Sequence, residues 1–132
     1  MTQQGFIQRL SYFTLRQSNE VVFWIDEEGT IQHVNQAGCR FSGFAYDEIV
    51  GKKIYDIHPE EDASVWRNRW EHLKKHKRLR FEKWQPNRDG RMMRLLITQN
   101  YIEFEGRAYT VSLIEDKTRE YEMQEKIRES ER

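Results

Sequence analysis

Cysteine is nearly absent: Cys39 is the single one in 132 residues. The chain therefore forms no intrachain disulfide and no thiolate metal set, and nothing in it calls for an oxidising compartment. We read it as cytoplasmic. Net charge is equally scarce, since 22 basic side chains balance 22 acidic ones, and this removes the positive field that non-specific contact with nucleic acid or an anionic membrane needs. Long apolar runs are missing too. The longest, Val21 to Ile25, falls far short of the ~20 residues that cross a bilayer, and the N-terminus has no cleavable apolar segment. No nucleic-acid partner and no membrane contact are expected of this segment. It also lacks a glycine loop to cradle phosphate, a G-x-S-x-G elbow and a metal-spaced set of His and carboxylates. We therefore expect no catalytic residue, no metal ligand and no enzymatic activity.

What is present fits one domain with a tail, because the length lies below the roughly 150 residues per domain of ordinary proteins. Hydrophobic residues make up 37% and charged ones 33%, so the apolar material must be concentrated in a small core. Four Trp, six Tyr and seven Phe supply it. The charge belongs to solvated surfaces, above all a C-terminal helix.

Along the chain, Phe6, Ile7, Leu10, Phe13 and Leu15 space loosely as a flanking helix over 1–17. VVFWID, the turn Glu27-Glu28-Gly29 and TIQHV read as a hairpin. Asn35 is placed to cap a short helix through Ala37 and Phe41 that Gly43 stops, and a second short helix runs from Tyr46 to Val50 before Gly51. Asp56 to Asp62 reads as a loop feeding a helix from about Asp62 to Lys75, whose stripe of Trp66, Trp70 and Leu73 faces the core. Three strands follow, Leu79 to Gln85, Arg91 to Ile102 and Arg107 to Glu115, joined by the turns Asn87 to Gly90 and Glu105-Gly106. Two strands, a block of helices and three strands make an α+β fold with helices on one face of an antiparallel sheet.

The residues from about Ser18 to Arg119 resemble the PAS sensor domains. The hairpin and Asn35 match the family's opening. GFAYDEIVGKKIYDIHPEED is similar to its G-[FY]-x-x-x-E-x-x-G core and HP-acidic loop, which places Gly43, Glu48, Gly51 and His58 in structural roles. Phe81-Glu82, Arg88-Asp89-Gly90 and Asp116-Lys117-Thr118-Arg119 stand where the family has F-E, K-D-G and D-I-T-E, with Lys117 in place of the usual Ile. The resemblance implies a five-stranded antiparallel sheet cupped around a cavity, a domain over 18–117 and a signalling helix over 118–132. It implies regulation, but its members bind haem, flavins, small acids or nothing visible.

Individual residues narrow this. Cys39, in AGCRFSG, superficially resembles the N-C-R-F motif of light-oxygen-voltage photoreceptors, but there the reactive thiol follows a later segment, matched here by Gly51, Lys52, Lys53 and then Ile54. We read Cys39 as a packing residue. Haem-binding members ligate iron through a His on the long helix, where His72 and His76 stand four apart, yet His72 points away from the apolar stripe and His76 lies at the helix end, so both read as solvated. The run Lys74 to Arg80 reads as a solvated basic face. For the cavity the candidates are Trp66, Trp70, Leu95, Ile97, Gln99 and Tyr101, the last four by period-two alternation. Buried Gln99 and Tyr101 would bond each other and the backbone, or meet a ligand or water.

Past Asp116 and Thr118, both able to cap a helix, the chain carries good helix formers with neither Gly nor Pro. Met123 and Ile127, with Glu120 and Ser130, give the 3-4-3 spacing of a coiled-coil seam, supported by a Glu122–Lys126 pair and opposed by Glu125 against Glu129. The expected function is therefore a sensory domain that forms a parallel homodimer and passes a signal to a downstream output domain of histidine-kinase or diguanylate-cyclase type, with or without a small-molecule ligand. The alternative is a haem or flavin sensor in which the cofactor is the detector.

Overall fold

β-Branched and aromatic side chains in VVFWID hold Val21–Asp26 (β1) extended, and the computed structural model, which describes residues 20–58 and 62–132, pairs it with Ile31–Val34 (β2) across the expected turn. The Asp26 carboxylate closes that turn by accepting from the N–H groups of Glu28 and Thr30, both at 2.9 Å. Gly29 occupies the left-handed region with φ 84°, and a Cβ there would come within 3.1 Å of the Tyr55 ring and 3.3 Å of the Trp66 ring. Backbone freedom and close packing both require glycine at this point.

Three short helices follow: Gln36–Ser42 (α1), Tyr46–Ile49 (α2) and Ile54–Ile57 (α3). The third lies partly in the stretch read from sequence as loop. Ala63–His76 (α4) is capped by Asp62, whose carboxylate accepts from Val65 N–H at 2.9 Å, and that bond, with one from Ser64, holds its carboxyl below the usual range. Trp66, Trp70 and Leu73 are buried along one side of α4, as their spacing requires. The chain then turns at Lys77, a non-glycine residue at φ 72°, into Arg78–Pro86 (β3), Met92–Phe104 (β4) and Arg107–Asp116 (β5). Glu105 and Gly106, both at positive φ, join β4 to β5 as a two-residue hairpin turn.

The strands form one antiparallel sheet in the order β2-β1-β5-β4-β3, which leaves β3 on an edge. Period two sends Phe23 and Ile25 of β1, Ser112 and Ile114 of β5, and Leu95, Ile97 and Gln99 of β4 to the face that α3 and α4 cover, and all seven are buried. The flanking helix expected over 1–17 lies outside the described residues.

A tighter constraint sits between β2 and α1. Gly38 is buried, and a Cβ on it would lie 2.3 Å from Val34 Cγ2, with Asn35 Oδ1 and the Val22 carbonyl at 3.3 and 3.4 Å. Overpacking of this kind costs about 1–3 kcal/mol, so Gly38→Ala is expected to lower the urea midpoint without changing the m-value. An unchanged midpoint would show that α1 slides freely over β2.

Thr118–Ser130 (α5) leaves the sheet at the chain's end. Its N-terminus differs from expectation: the cap position is Lys117, which gives no side-chain bond, while the Asp116 carboxylate accepts from Thr118 N–H at 3.0 Å and from the Thr118 hydroxyl. Glu122 meets Arg91 at 3.2 Å rather than forming the local pair with Lys126, and Arg128 meets Glu125 at 3.3 Å. Tyr121 stacks edge-on to Trp84 of β3, centroids 5.0 Å apart. Beyond that contact, Met123 and Ile127 are 53% and 56% exposed, so α5 carries an apolar seam that no other described residue covers.

Candidate functional site

Between the sheet and the helices α3 and α4 lies a cavity of about 30 Å³, enough for one water molecule or a group of similar size. Phe23, Ile97 and Ile114 supply apolar walls, and Gln85, Gln99 and Ser112 supply polar ones. Register creates the polar cluster, because Gln99 of β4 pairs with Ser112 of β5 and both face inward. Gln99 Nε2 donates to Ser112 Oγ at 3.0 Å, whereas Gln99 Oε1, fully buried, accepts no hydrogen bond from the described residues. An orphaned buried acceptor costs about 1–3 kcal/mol, which a single donor placed in the cavity would recover. At the rim stand His58, Arg69 and Lys83.

Of the candidates from sequence, Ile97 and Gln99 line this cavity. Trp66, Trp70, Leu95 and Tyr101 do not. They belong to the packed cluster beside it, where Trp70 stands 6.4 Å from Trp66 and edge-on to Tyr101 at 5.5 Å, centroid to centroid. The Tyr101 hydroxyl does not reach Gln99 but donates to Glu103 at 3.3 Å. Burial first, then the Glu103 charge, pushes its phenol above the ordinary value, so it stays protonated. Gln85 and Ser112 are the residues that sequence reasoning missed, and His58, read as structural, lies at the rim.

The motif residues are accounted for locally. Asn35 is 1% exposed, and its side-chain oxygen accepts from Gly38 N–H at 2.9 Å and Val22 N–H at 3.1 Å, while its amide donates to the Glu20 carbonyl at 2.6 Å. Gly43, at φ 80°, ends α1, and Glu48 reaches back to Ala45 N–H at 3.1 Å. Gly51 takes φ 96° between α2 and α3. Cys39 is half-buried against the core, and burial raises its thiol pKa more than Arg40 lowers it, which leaves it a poor nucleophile. His72 and His76 are both exposed, as is most of the basic run from Lys74 to Arg80.

A sheet ordered β2-β1-β5-β4-β3, helices across one face and a D-x-T junction into a C-terminal helix already restrict the possibilities, and a family model described as PAS domain matches residues 19–119. The chain belongs to the PAS domain family. Solved PAS domains share the fold at low identity. That of an HTR-like protein from Haloarcula marismortui is 24% identical with a TM-score of 0.70, over 86% of this chain and 98% of that one. The PAS domain of Bordetella pertussis BvgS is 16% identical with a TM-score of 0.66, over 94% and 97%. A third, from a two-component sensor histidine kinase, is 14% identical with a TM-score of 0.68, over 86% and 99%. Among curated proteins none matches the sequence. As a PAS domain the chain is a sensory and regulatory module and not itself a catalyst. No described helix is long and apolar enough to cross a membrane.

Proposed function

We propose that this PAS domain, with its core over 18–117, senses through the Gln99–Ser112 cavity and reports through α5, which pairs in parallel with a second copy and leads to a cytoplasmic output domain of histidine-kinase or diguanylate-cyclase type. One observation carries the reading: the two strands that hold the cavity's polar pair also hold the start of α5. On β4, five residues before Gln99, Arg94 donates its N–H to Thr118 Oγ1 at 2.9 Å and its carbonyl accepts from Lys117 N–H at 2.7 Å. On β5, four residues beyond Ser112, Asp116 holds Thr118. A donor that draws on Gln99 shifts β4 against β5, and the junction inherits that shift.

A volume of about 30 Å³ matches a water or a small group better than a flavin or haem. It thus favours a small ligand over the cofactor sensor that is the second reading. A Soret or flavin absorption band in the purified protein would reverse this preference.

Gln99→Leu combined with Ser112→Ala removes the orphaned acceptor together with the buried hydroxyl that would otherwise lose its donor. The variant is expected to be as stable as the parent or more stable by up to about 1 kcal/mol. A loss above about 2 kcal/mol would make Gln99 an ordinary core residue instead. Ile127→Glu places a charge in the α5 seam and should weaken self-association at least tenfold, about 1.4 kcal/mol. Light scattering that returns the same mass for both proteins across a dilution series would remove the seam from the proposal.

A further inference from the structure

We propose that His72 and His76 form a bidentate site for a late first-row divalent metal, copper(II) ahead of nickel(II) and zinc(II), on the outer side of α4. Their rings stand 4.4 Å apart, centroid to centroid, with planes inclined at 38°. With metal–nitrogen bonds of about 2.0–2.1 Å, two imidazoles in neighbouring coordination positions place their ring centres roughly 4.5–5 Å apart, so the pair reaches the spacing of a chelate by opening slightly. Four residues is the interval at which helical side chains share a face, and the same interval presents paired histidines to zinc in helical metal motifs. The helix beneath them is held in place. Trp66, Trp70 and Leu73 are each at most 2% exposed on its other side, so the backbone carrying both imidazoles is fixed before any metal arrives.

Donor type defines the cation. Imidazole suits copper, nickel and zinc, whose affinities peak at copper, and it suits magnesium and calcium poorly. Among the described residues no group of three or more His, Cys, Asp and Glu side chains converges, so water completes the coordination and the metal exchanges readily. Lys74 and Lys75, both exposed on the same turn, oppose a dication and further weaken the site relative to a three-ligand centre. The sequence reading assigned no metal here, because both imidazoles read as solvated, His72 away from the apolar stripe and His76 at the helix end. Occupancy would tie together the last turn of α4, where Lys77 N–H bonds the Leu73 carbonyl at 2.7 Å, and would slow hydrogen exchange of that amide.

The test adds copper(II) to the untagged protein and counts coordinated nitrogens by electron paramagnetic resonance. Two equatorial imidazole nitrogens at one equivalent are expected, and His72→Asn and His76→Asn should each weaken binding at least tenfold. Moving the second imidazole by combining His76→Asn with Lys74→His, which puts it on another side of the helix, should not restore the site. One coordinated nitrogen in the parent protein, unchanged affinity in either single variant, or recovery in the transposed variant would each overturn the assignment. The nitrogen count on the parent decides even where a variant folds poorly.

Discussion

Replacing Asn35 by Ala is expected to cost roughly 2–4 kcal/mol, more than a helix cap alone. The capping bond to Gly38 N–H accounts for about 0.5–2 kcal/mol. The same oxygen also accepts from Val22 N–H of β1 at 3.1 Å, and with Asn35 1% exposed no solvent replaces it, so the second donor is orphaned at about 1–3 kcal/mol. Asn35 thus fastens α1 to the first strand as well as starting the helix. Thermal unfolding should show a fall in Tm of roughly 10 °C or more. Asn35→Asp keeps both acceptor bonds but sets a carboxylate oxygen against the Glu20 carbonyl in place of the donating amide, and its Tm should lie between parent and Ala. Equal losses in the two variants would mean that the acceptor bonds contribute little.

Trp70→Ala should be more damaging still, at about 3–5 kcal/mol, the usual range for truncating a large buried aromatic. Trp70 is 2% exposed and touches α4's other tryptophan on one side and Tyr101 of β4 on the other, so it joins the long helix to the sheet. Trp70→Phe, which retains a ring against Tyr101, should recover most of the loss. Urea titrations of the three proteins give the comparison. If Ala costs less than about 1.5 kcal/mol, α4 is loosely docked and the cavity beside it is not a fixed enclosure.

How far the sequence discloses this molecule depends on whether the deciding interaction is local. The opening hairpin, the Asn35 cap, the Trp66–Trp70–Leu73 stripe and the Glu105-Gly106 turn all follow from residues a few positions apart, and all were legible. α3 is too short for any period to emerge from Ile54–Ile57. The cavity was half legible. Alternation on β4 pointed to Ile97 and Gln99, but on β3 the inward positions end in Lys83 and Gln85, polar residues that read as an outward face until the sheet order is known. Ser112 carries no mark of its own, since its role arises from standing opposite Gln99. The same limit explains Glu122, for which the i, i+4 rule names Lys126 while the fold supplies Arg91 from the β3–β4 turn.

The edge position of β3 bears on how copies of this domain meet. A nine-residue strand with a side unpaired among the described residues is a template on which another chain could lengthen the sheet indefinitely, as in a fibril. Here its outward side chains alternate through Arg78, Arg80 and Glu82, Lys83 puts a charge on the inward row, and Pro86 withholds an N–H at the end. A strand added parallel and in register would stack like charges on one another. Growth in that direction is discouraged at every step, which makes this edge a poor template for an open-ended sheet even where crowding brings copies together.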